Sequence, residues 1–117
     1  MNREEIFEYA ENEFGVLPEY LWAKFPSYAV LRNNTSKKWF ALIGSVELKK
    51  LGINKEGKAD VMVIKEDPIM IGTLIHQKGY YPAYHMNKEH WISVCVDGSV
   101  TDEVICNMLH TAHEMAF

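Results

Sequence analysis

Short runs of β-favouring residues, separated by clusters of turn-forming residues, constrain the fold of this chain more than any other feature. Asn33–Lys37 is one such cluster, and Asn87–Glu89 is another. Turns this short join antiparallel neighbours, so each cluster predicts the tip of a β-hairpin. The strands of the two predicted hairpins are Ser27–Arg32 with Lys38–Ser45, and Tyr81–Met86 with His90–Asp97.

The second of these strands is apolar on both of its predicted faces. Strict alternation places Phe40 and Leu42 on one face, and Trp39, Ala41 and Ile43 on the other. A strand that is apolar on both sides needs cover on both sides, which predicts a central position in the sheet. Ala59–Lys65 reads as a further, third strand because Val, Met and Ile fill its middle.

Helix boundaries are marked by capping residues. Asn2 and Glu5 have the spacing of a capping box, which predicts a helix over residues 3–14 that ends at Gly15. Asp67 followed by Pro68 predicts a second helix, which runs to about His76. A last helix follows Ser99–Asp102, and its predicted buried stripe consists of Val104, Ile105, Met108, Leu109, Ala112 and Ala116.

The order of elements is therefore α-β-β-β-α-β-β-α, with a short helical turn expected at Val46–Leu51. Hairpins dominate this order, so we expect an α+β fold with a five-stranded antiparallel sheet and with helices packed mainly on one face. The first and last helices are both expected on that face. A chain of 117 residues without linkers or repeats predicts a single domain over residues 1–117.

Charge is unevenly distributed along the chain, although the net charge is only −4. Met1–Ala23 carries one Arg against six Glu, and Glu66–Phe117 carries two Lys against seven acids. Lys24–Lys65 instead carries nine Lys or Arg against three acids. No apolar run reaches the roughly 20 residues needed to span a bilayer. With two cysteines, Cys95 and Cys106, expected to be inert buried thiols, we expect a reduced, cytoplasmic protein without a membrane partner, and favour a monomer.

Motifs of enzymatic chemistry are missing from the sequence. It contains no phosphate-binding glycine loop and no dinucleotide fingerprint, and Cys95 has no sequence context that marks a nucleophile. The histidines that stand closest to one another are His85 with His90 and His110 with His113, but no cysteine pair or carboxylate has metal-ligand spacing beside them. We therefore expect a non-enzymatic protein with no cofactor and no metal.

The hairpin tips carry the side chains best suited to recognition. The cations at the tips are Arg32, Lys37, Lys38 and Lys88. Clustered Lys and Arg neutralise phosphates, so these four residues form a candidate nucleic-acid-binding set. Aromatic and histidine side chains nearby offer a stacking or ligand surface, and they are Trp39, Tyr84, His85, His90 and Trp91.

Several motifs along nearly the whole chain resemble the MmcQ/YjbR family. They include Tyr28–Val30, Lys38–Leu42, Asp67-Pro68, Pro82–Lys88 with His90-Trp91, and Asp97–Val100. The resemblance implies a frataxin-like (CyaY-like) fold and a "double wing" DNA-binding role, in which two hairpins are the wings. We carry that role over only to the four hairpin cations. This chain departs from the family pattern at Ile75, where an Arg is expected, and at Ala112, where a Ser is usual.

Three functions remain open from the sequence. The first is DNA binding by the basic hairpin tips, which requires the tip cations to lie away from the acidic first helix. The second is binding of a protein or a small ligand by the aromatic hairpin surface. The third is frataxin-like cation binding by Glu4, Glu8 and Glu11 on the outer face of the first helix.

Overall fold

A computed structural model describes all 117 residues. It contains three α-helices, five β-strands and one 3₁₀ turn. In chain order these elements are α1 (Arg3–Phe14), β1 (Ala29–Arg32), β2 (Trp39–Glu47), the 3₁₀ turn (Leu48–Leu51), β3 (Lys58–Lys65), α2 (Pro68–Leu74), β4 (Tyr80–Pro82), β5 (Trp91–Cys95) and α3 (Asp102–Met115). The predicted order of elements is confirmed.

All five strands form one antiparallel sheet in the order β1-β2-β3-β5-β4. The predicted central position of β2 is confirmed, since it pairs with β1 on one side and β3 on the other. One row of partners crosses the whole sheet and consists of Leu31, Ala41, Ile64, Ile92 and Pro82. This register fixes which loops leave the sheet at the same end.

Helix α1 begins and ends where its capping residues predict. The Asn2 side chain accepts a hydrogen bond from the Glu5 backbone N–H at 2.9 Å, and the Glu5 carboxylate accepts one from the Asn2 N–H at 3.0 Å. Gly15 ends the helix in the left-handed region at φ 66°. These reciprocal bonds satisfy backbone donors that the first turn leaves free.

Helices α1 and α3 pack on the same face of the sheet, as predicted. Ile6 and Ala10 of α1 and Leu109 of α3 belong to one buried cluster with Ile43 and Met62 of the sheet. Ile71 of α2 joins the same cluster. All three helices therefore cover one face, which we call the helix face, and leave the opposite face to loops.

The opposite face, which we call the open face, has a second and smaller apolar cluster. Its strand residues include Leu42, Val63 and Trp91. No helix covers them; the irregular segment after α1 supplies Trp22 and Tyr28 instead. Loops fold over this face because it is too apolar to be left in water.

A β-bulge in the first hairpin changes the faces predicted for two residues. Leu31 pairs with Ala41, but Arg32 pairs with Trp39, so Phe40 is an extra residue on β2. Phe40 consequently lies with Ala41 and Ile43 on the helix face, whereas Trp39 lies with Leu42 on the open face. The prediction from strict alternation was wrong here, since a bulge interrupts the two-residue period.

Strand β4 is shorter than predicted, and the loop that follows it is longer. The strand spans only Tyr80–Pro82, and residues 83–90 form a loop in place of a tight hairpin tip. The backbone N–H of Tyr84 donates to the Ser93 hydroxyl at 3.0 Å, and His85 adopts a left-handed φ of 63°. These two features divert the chain from the sheet. Helix α2 also ends early, at Leu74, where the Gln77 N–H donates to the Leu74 carbonyl at 2.8 Å.

Gly44 of β2 provides a first test of the open face. A Cβ atom at this position would lie 2.2 Å from the Tyr28 ring, so Gly44→Ala must displace that ring. We expect the variant to lose about 1–3 kcal/mol of unfolding free energy through overpacking. Gly72→Ala is the matched control, because its Cβ would meet no atom within 4 Å. Urea unfolding of both variants measures the difference, and an equal stability of the two would show that Tyr28 does not pack on Gly44.

Candidate functional site

Both predicted wings leave the sheet at the same end. The β1–β2 loop follows Arg32 and the β4–β5 loop follows Pro82. The row of paired residues from Leu31 to Pro82 places both loops at the same end of the sheet, on its two opposite edge strands. We call this end of the sheet, together with the loop residues 33–38 and 83–90, the hairpin end. The four candidate cations therefore belong to one end of the molecule.

Asn33 anchors the tip of the first hairpin to α3. Its buried side chain accepts hydrogen bonds from the backbone N–H groups of Thr35 at 2.9 Å and Ser36 at 3.1 Å. Its amide nitrogen donates to the His113 carbonyl at 3.1 Å. The Ser36 hydroxyl also donates to the Ala116 carbonyl. The tip is thus held by the C-terminal turn of α3, and is not a free arm.

The four tip cations differ in their surroundings. Arg32 donates to the Glu19 carboxylate at 2.9 Å and its guanidinium lies 5.7 Å from the Trp39 ring centre. Lys37, Lys38 and Lys88 are exposed and have no carboxylate within 4.0 Å. Three of the four cations are therefore available to an anion, while the charge of Arg32 is already neutralised.

An aromatic cleft lies on the open face beside the hairpin end. Its volume is about 220 Å³. The lining residues are Trp22, Phe25, Tyr28, Trp39, Leu42, His85 and Met86. Trp22 meets Trp39 edge to face at 5.7 Å between ring centres, and Phe25 stacks on Tyr28 at 5.5 Å. The cleft is built from three distant segments of the chain, and its lining contains no Lys, Arg, Asp or Glu.

Two of the five predicted surface residues line this cleft, namely Trp39 and His85. Tyr84 packs against His85 with 3.9 Å between ring centres, and His90 is exposed on the loop. Trp91 differs from these, because it is only 8% exposed and lies in the open-face cluster, with the Lys65 ammonium 5.8 Å from its ring centre. The structure therefore places the Trp91 side chain in packing contacts, with little of its surface accessible to a ligand.

Most of the cleft was not predicted from the sequence. Trp22 and Phe25 stand in an irregular stretch between prolines and look like residues that pin this stretch to the core. Phe25 is instead 53% exposed. Aromatic residues in a segment with no periodicity are the one signal from which this surface could have been predicted. Their convergence with Trp39 depends on tertiary contacts.

Burial makes Tyr28 a poor acid. It raises the pKa of Tyr28 to about 12, and the neighbouring hydroxyl of Tyr84 adds to the rise. Tyr28 is therefore protonated at neutral pH, and its hydroxyl can donate a hydrogen bond.

The buried cysteine and the two C-terminal histidines pack against other side chains of the protein. Cys95 is buried, and desolvation raises the pKa of its thiol to about 11, which disfavours the reactive thiolate. His110 Nε2 lies 2.8 Å from the Tyr9 hydroxyl, and His113 stacks on Phe14 at 4.3 Å. No three His, Cys, Asp or Glu side chains come together in a group that could hold a metal ion.

None of the helices is both long and apolar enough to span a membrane. Helices on one face of an antiparallel sheet, with an aromatic cleft on the other, define a small α+β protein. Comparison with known proteins then gives the family. The YjbR family model matches residues 14–115, and the chain belongs to the YjbR family.

Relatives and solved structures agree with this assignment. The chain is 35% identical over 115 residues to the uncharacterized protein YyaQ of Bacillus subtilis, with 98% of each chain covered. A crystal structure of a Pseudomonas syringae protein superposes with a TM-score of 0.96, at 38% identity and with both chains fully covered. A Deinococcus radiodurans protein, DR2400, shares the fold at 19% identity and a TM-score of 0.74, over 97% of this chain and 77% of that one.

Proposed function

We propose that this protein is a non-enzymatic nucleic-acid-binding protein that contacts DNA with its hairpin end. The observation that carries the proposal concerns Lys37, Lys38 and Lys88. They lie in two loops that leave the sheet at the same end, and none of them has a carboxylate partner. A phosphate can approach these ammonium groups without breaking an existing ion pair. Each neutralised phosphate releases counterions, which is the main source of affinity in such complexes.

The position of the acidic residues supports this surface in part. Arg3, at the start of α1, donates to the Ser27 carbonyl at 2.7 Å, so the N-terminal turn with Glu4 lies at the end opposite the hairpins. The C-terminal end of α1 meets the hairpin tip, where the Asn34 amide donates to the Gly15 carbonyl at 3.0 Å. Glu11, in the last turn, therefore lies nearer to the cations than Glu4 does.

We expect the double variant Lys37→Ala, Lys38→Ala to bind duplex DNA more weakly than the unchanged protein. Two lost phosphate contacts should lower the slope of log affinity against log salt by about 2, and should weaken all sequences alike. Fluorescence anisotropy with a labelled duplex at several salt concentrations measures both quantities.

The matched control is Lys49→Ala, Lys55→Ala, which removes the same charge from the β2–β3 connection. Lys49 already bonds to Glu56, and both residues lie beyond the end of β2 that is away from the hairpins. For this control variant, the slope of log affinity against log salt should stay at the wild-type value. If the two double variants behave alike, the hairpin lysines have no special role, and if the wild type fails to bind at low salt, the proposed function is wrong.

A second candidate function is the binding of a protein or small ligand in the aromatic cleft. It is favoured by a specific observation, since six of the seven cleft residues are hydrophobic and the seventh is His85. Ligand pockets are typically apolar with few polar groups, and this lining fits that description. Binding by this route depends on Trp39 and is insensitive to salt, which separates it from the first function.

A further inference from the structure

A second depression on the open face adjoins the aromatic cleft and is rich in lysine. Its volume is about 300 Å³, and Phe25 and Tyr28 line both the depression and the cleft. The remaining lining includes Lys24, Lys50 and Lys58. We call it the lysine pocket. The two cavities therefore adjoin at these two aromatic side chains.

The lysine pocket is positively charged in a protein that is negative overall. Lys24, Lys50 and Lys58 are exposed and have no carboxylate within 4.0 Å. Glu47 is the one acidic side chain in the lining. Nearby Lys49, in contrast, is paired with Glu56 at 2.5 Å and does not line this pocket. The local excess of positive charge therefore attracts an anion.

Neutral hydroxyl groups and a further lysine extend this surface. Tyr84 lines the lysine pocket beside Tyr28, whose raised pKa keeps its hydroxyl protonated. A third depression, of about 510 Å³, is lined by Lys50, Tyr84 and Lys88 among others. Lys50 and Tyr84 thus face both basic depressions. The open face combines an apolar cleft lined by aromatic side chains with several hydrogen-bond donors for one or more phosphates.

We propose that the open face binds a nucleotide unit, with its base in the aromatic cleft and its phosphate among Lys24, Lys50 and Lys58. A base is planar and stacks on aromatic side chains such as Trp39 and Phe25. Phosphate suits unpaired lysines and protonated hydroxyls. A purely apolar ligand would leave the lysines unused, and a simple anion would leave the cleft empty. The ligand chemistry is shared by a free nucleotide and by a nucleotide within a single strand.

This inference goes beyond DNA binding at the hairpin end, because its phosphate site is formed by Lys24, Lys50 and Lys58, which are not among the hairpin cations. Lys37 and Lys38 line neither the cleft nor the lysine pocket. Duplex DNA keeps its bases stacked inside the helix, so a base in the cleft requires a single-stranded or free nucleotide. The two proposals can therefore fail separately.

The experiment titrates the full chain with AMP, adenosine, inorganic phosphate and a single-stranded oligo-dA, using NMR chemical shifts and calorimetry. We expect AMP to bind at least about tenfold more tightly than adenosine or phosphate, because it alone of these three fills both cavities. Shifts should appear at the Trp22 and Trp39 indole N–H groups. If oligo-dA binds more tightly than AMP the source is a strand, and if it binds no more tightly the source is the free nucleotide.

Variants test separately the phosphate site in the lysine pocket and the base site in the aromatic cleft. Lys24→Ala, Lys58→Ala should reduce AMP affinity about tenfold, to the level of adenosine, while Trp39→Ala should weaken both ligands about tenfold. Lys49→Ala, Lys55→Ala and Lys37→Ala, Lys38→Ala should leave AMP affinity unchanged. The proposal is overturned if AMP does not bind, if phosphate alone binds as well as AMP, or if Lys49→Ala, Lys55→Ala has the effect of Lys24→Ala, Lys58→Ala.

Discussion

Replacing Trp91 with alanine is expected to lower the free energy of unfolding by about 3–5 kcal/mol, the usual cost of removing a large buried aromatic side chain. Trp91 begins β5, pairs with Lys65 of β3, and is only 8% exposed. Its indole belongs to the open-face cluster with Val63 and Ala83. The substitution would leave a cavity under the loop of residues 83–90, and the Lys65 ammonium would lose the aromatic ring beneath it.

Urea denaturation followed by circular dichroism measures this loss. Tyr20→Ala is the control, because Tyr20 is 57% exposed and its loss should change stability by no more than about 0.5 kcal/mol. The experiment also decides the role of Trp91. A Trp91→Ala protein that is as stable as the wild type, but loses ligand binding, would return this residue to the recognition surface.

Local signals predicted the elements of this fold, because their causes lie within a few residues of each other. The capping box of Asn2 and Glu5 forms within one helical turn, and Asp67 accepts from the Ile69 N–H at 2.9 Å at the start of α2. The turn cluster after Arg32 makes its own hydrogen bonds through Asn33. Antiparallel pairing follows from such short connections, so the fold class could be predicted as well.

Features that depend on tertiary contacts could not be predicted in the same way. The bulge at Phe40 requires knowledge of the register between two strands. The pairing of Arg32 with Glu19 joins the hairpin to a segment with no regular structure, where Glu19 also forms a backbone bridge to Val30. The sequence therefore predicts Arg32 as an available cation, although Glu19 compensates its charge in the structure.

The candidate site likewise combines residues that local sequence signals predict with residues that only tertiary contacts bring together. The three free lysines of the hairpin end are visible in the sequence because turns are exposed. The aromatic cleft is not, since Trp22, Trp39 and Met86 come from separate segments that meet only after folding. Helices confined to one face make this possible, because they leave the other face to residues that loops can supply. The larger buried cluster thus lies on the helix face, and the proposed recognition surface lies on the open face.

Adjacent residues Trp39 and Phe40 offer the sharpest test of that division, since the bulge directs them to opposite faces. Phe40 is fully buried, and its ring meets those of Phe14 at 6.0 Å and His113 at 5.3 Å, both edge to face. We expect Phe40→Ala to cost about 3–5 kcal/mol of unfolding free energy, because the cavity would open between α1, α3 and the sheet. Aromatic pairs of this geometry add about 0.5–1.5 kcal/mol beyond burial, which argues for the upper part of that range.

Trp39→Ala should give the opposite result. Trp39 is half-buried and contacts Trp22 and Arg32 at the rim of the cleft. We expect its loss to cost about 1 kcal/mol of stability or less, but to weaken ligand stacking by about 1–3 kcal/mol. Urea unfolding of the two variants measures the free energy of unfolding. Nucleotide titration, at a temperature where Phe40→Ala remains folded, measures the ligand affinity of each variant. Equal losses of stability would mean that Trp39 also packs as core, and unchanged binding by Trp39→Ala would remove the cleft from the recognition surface.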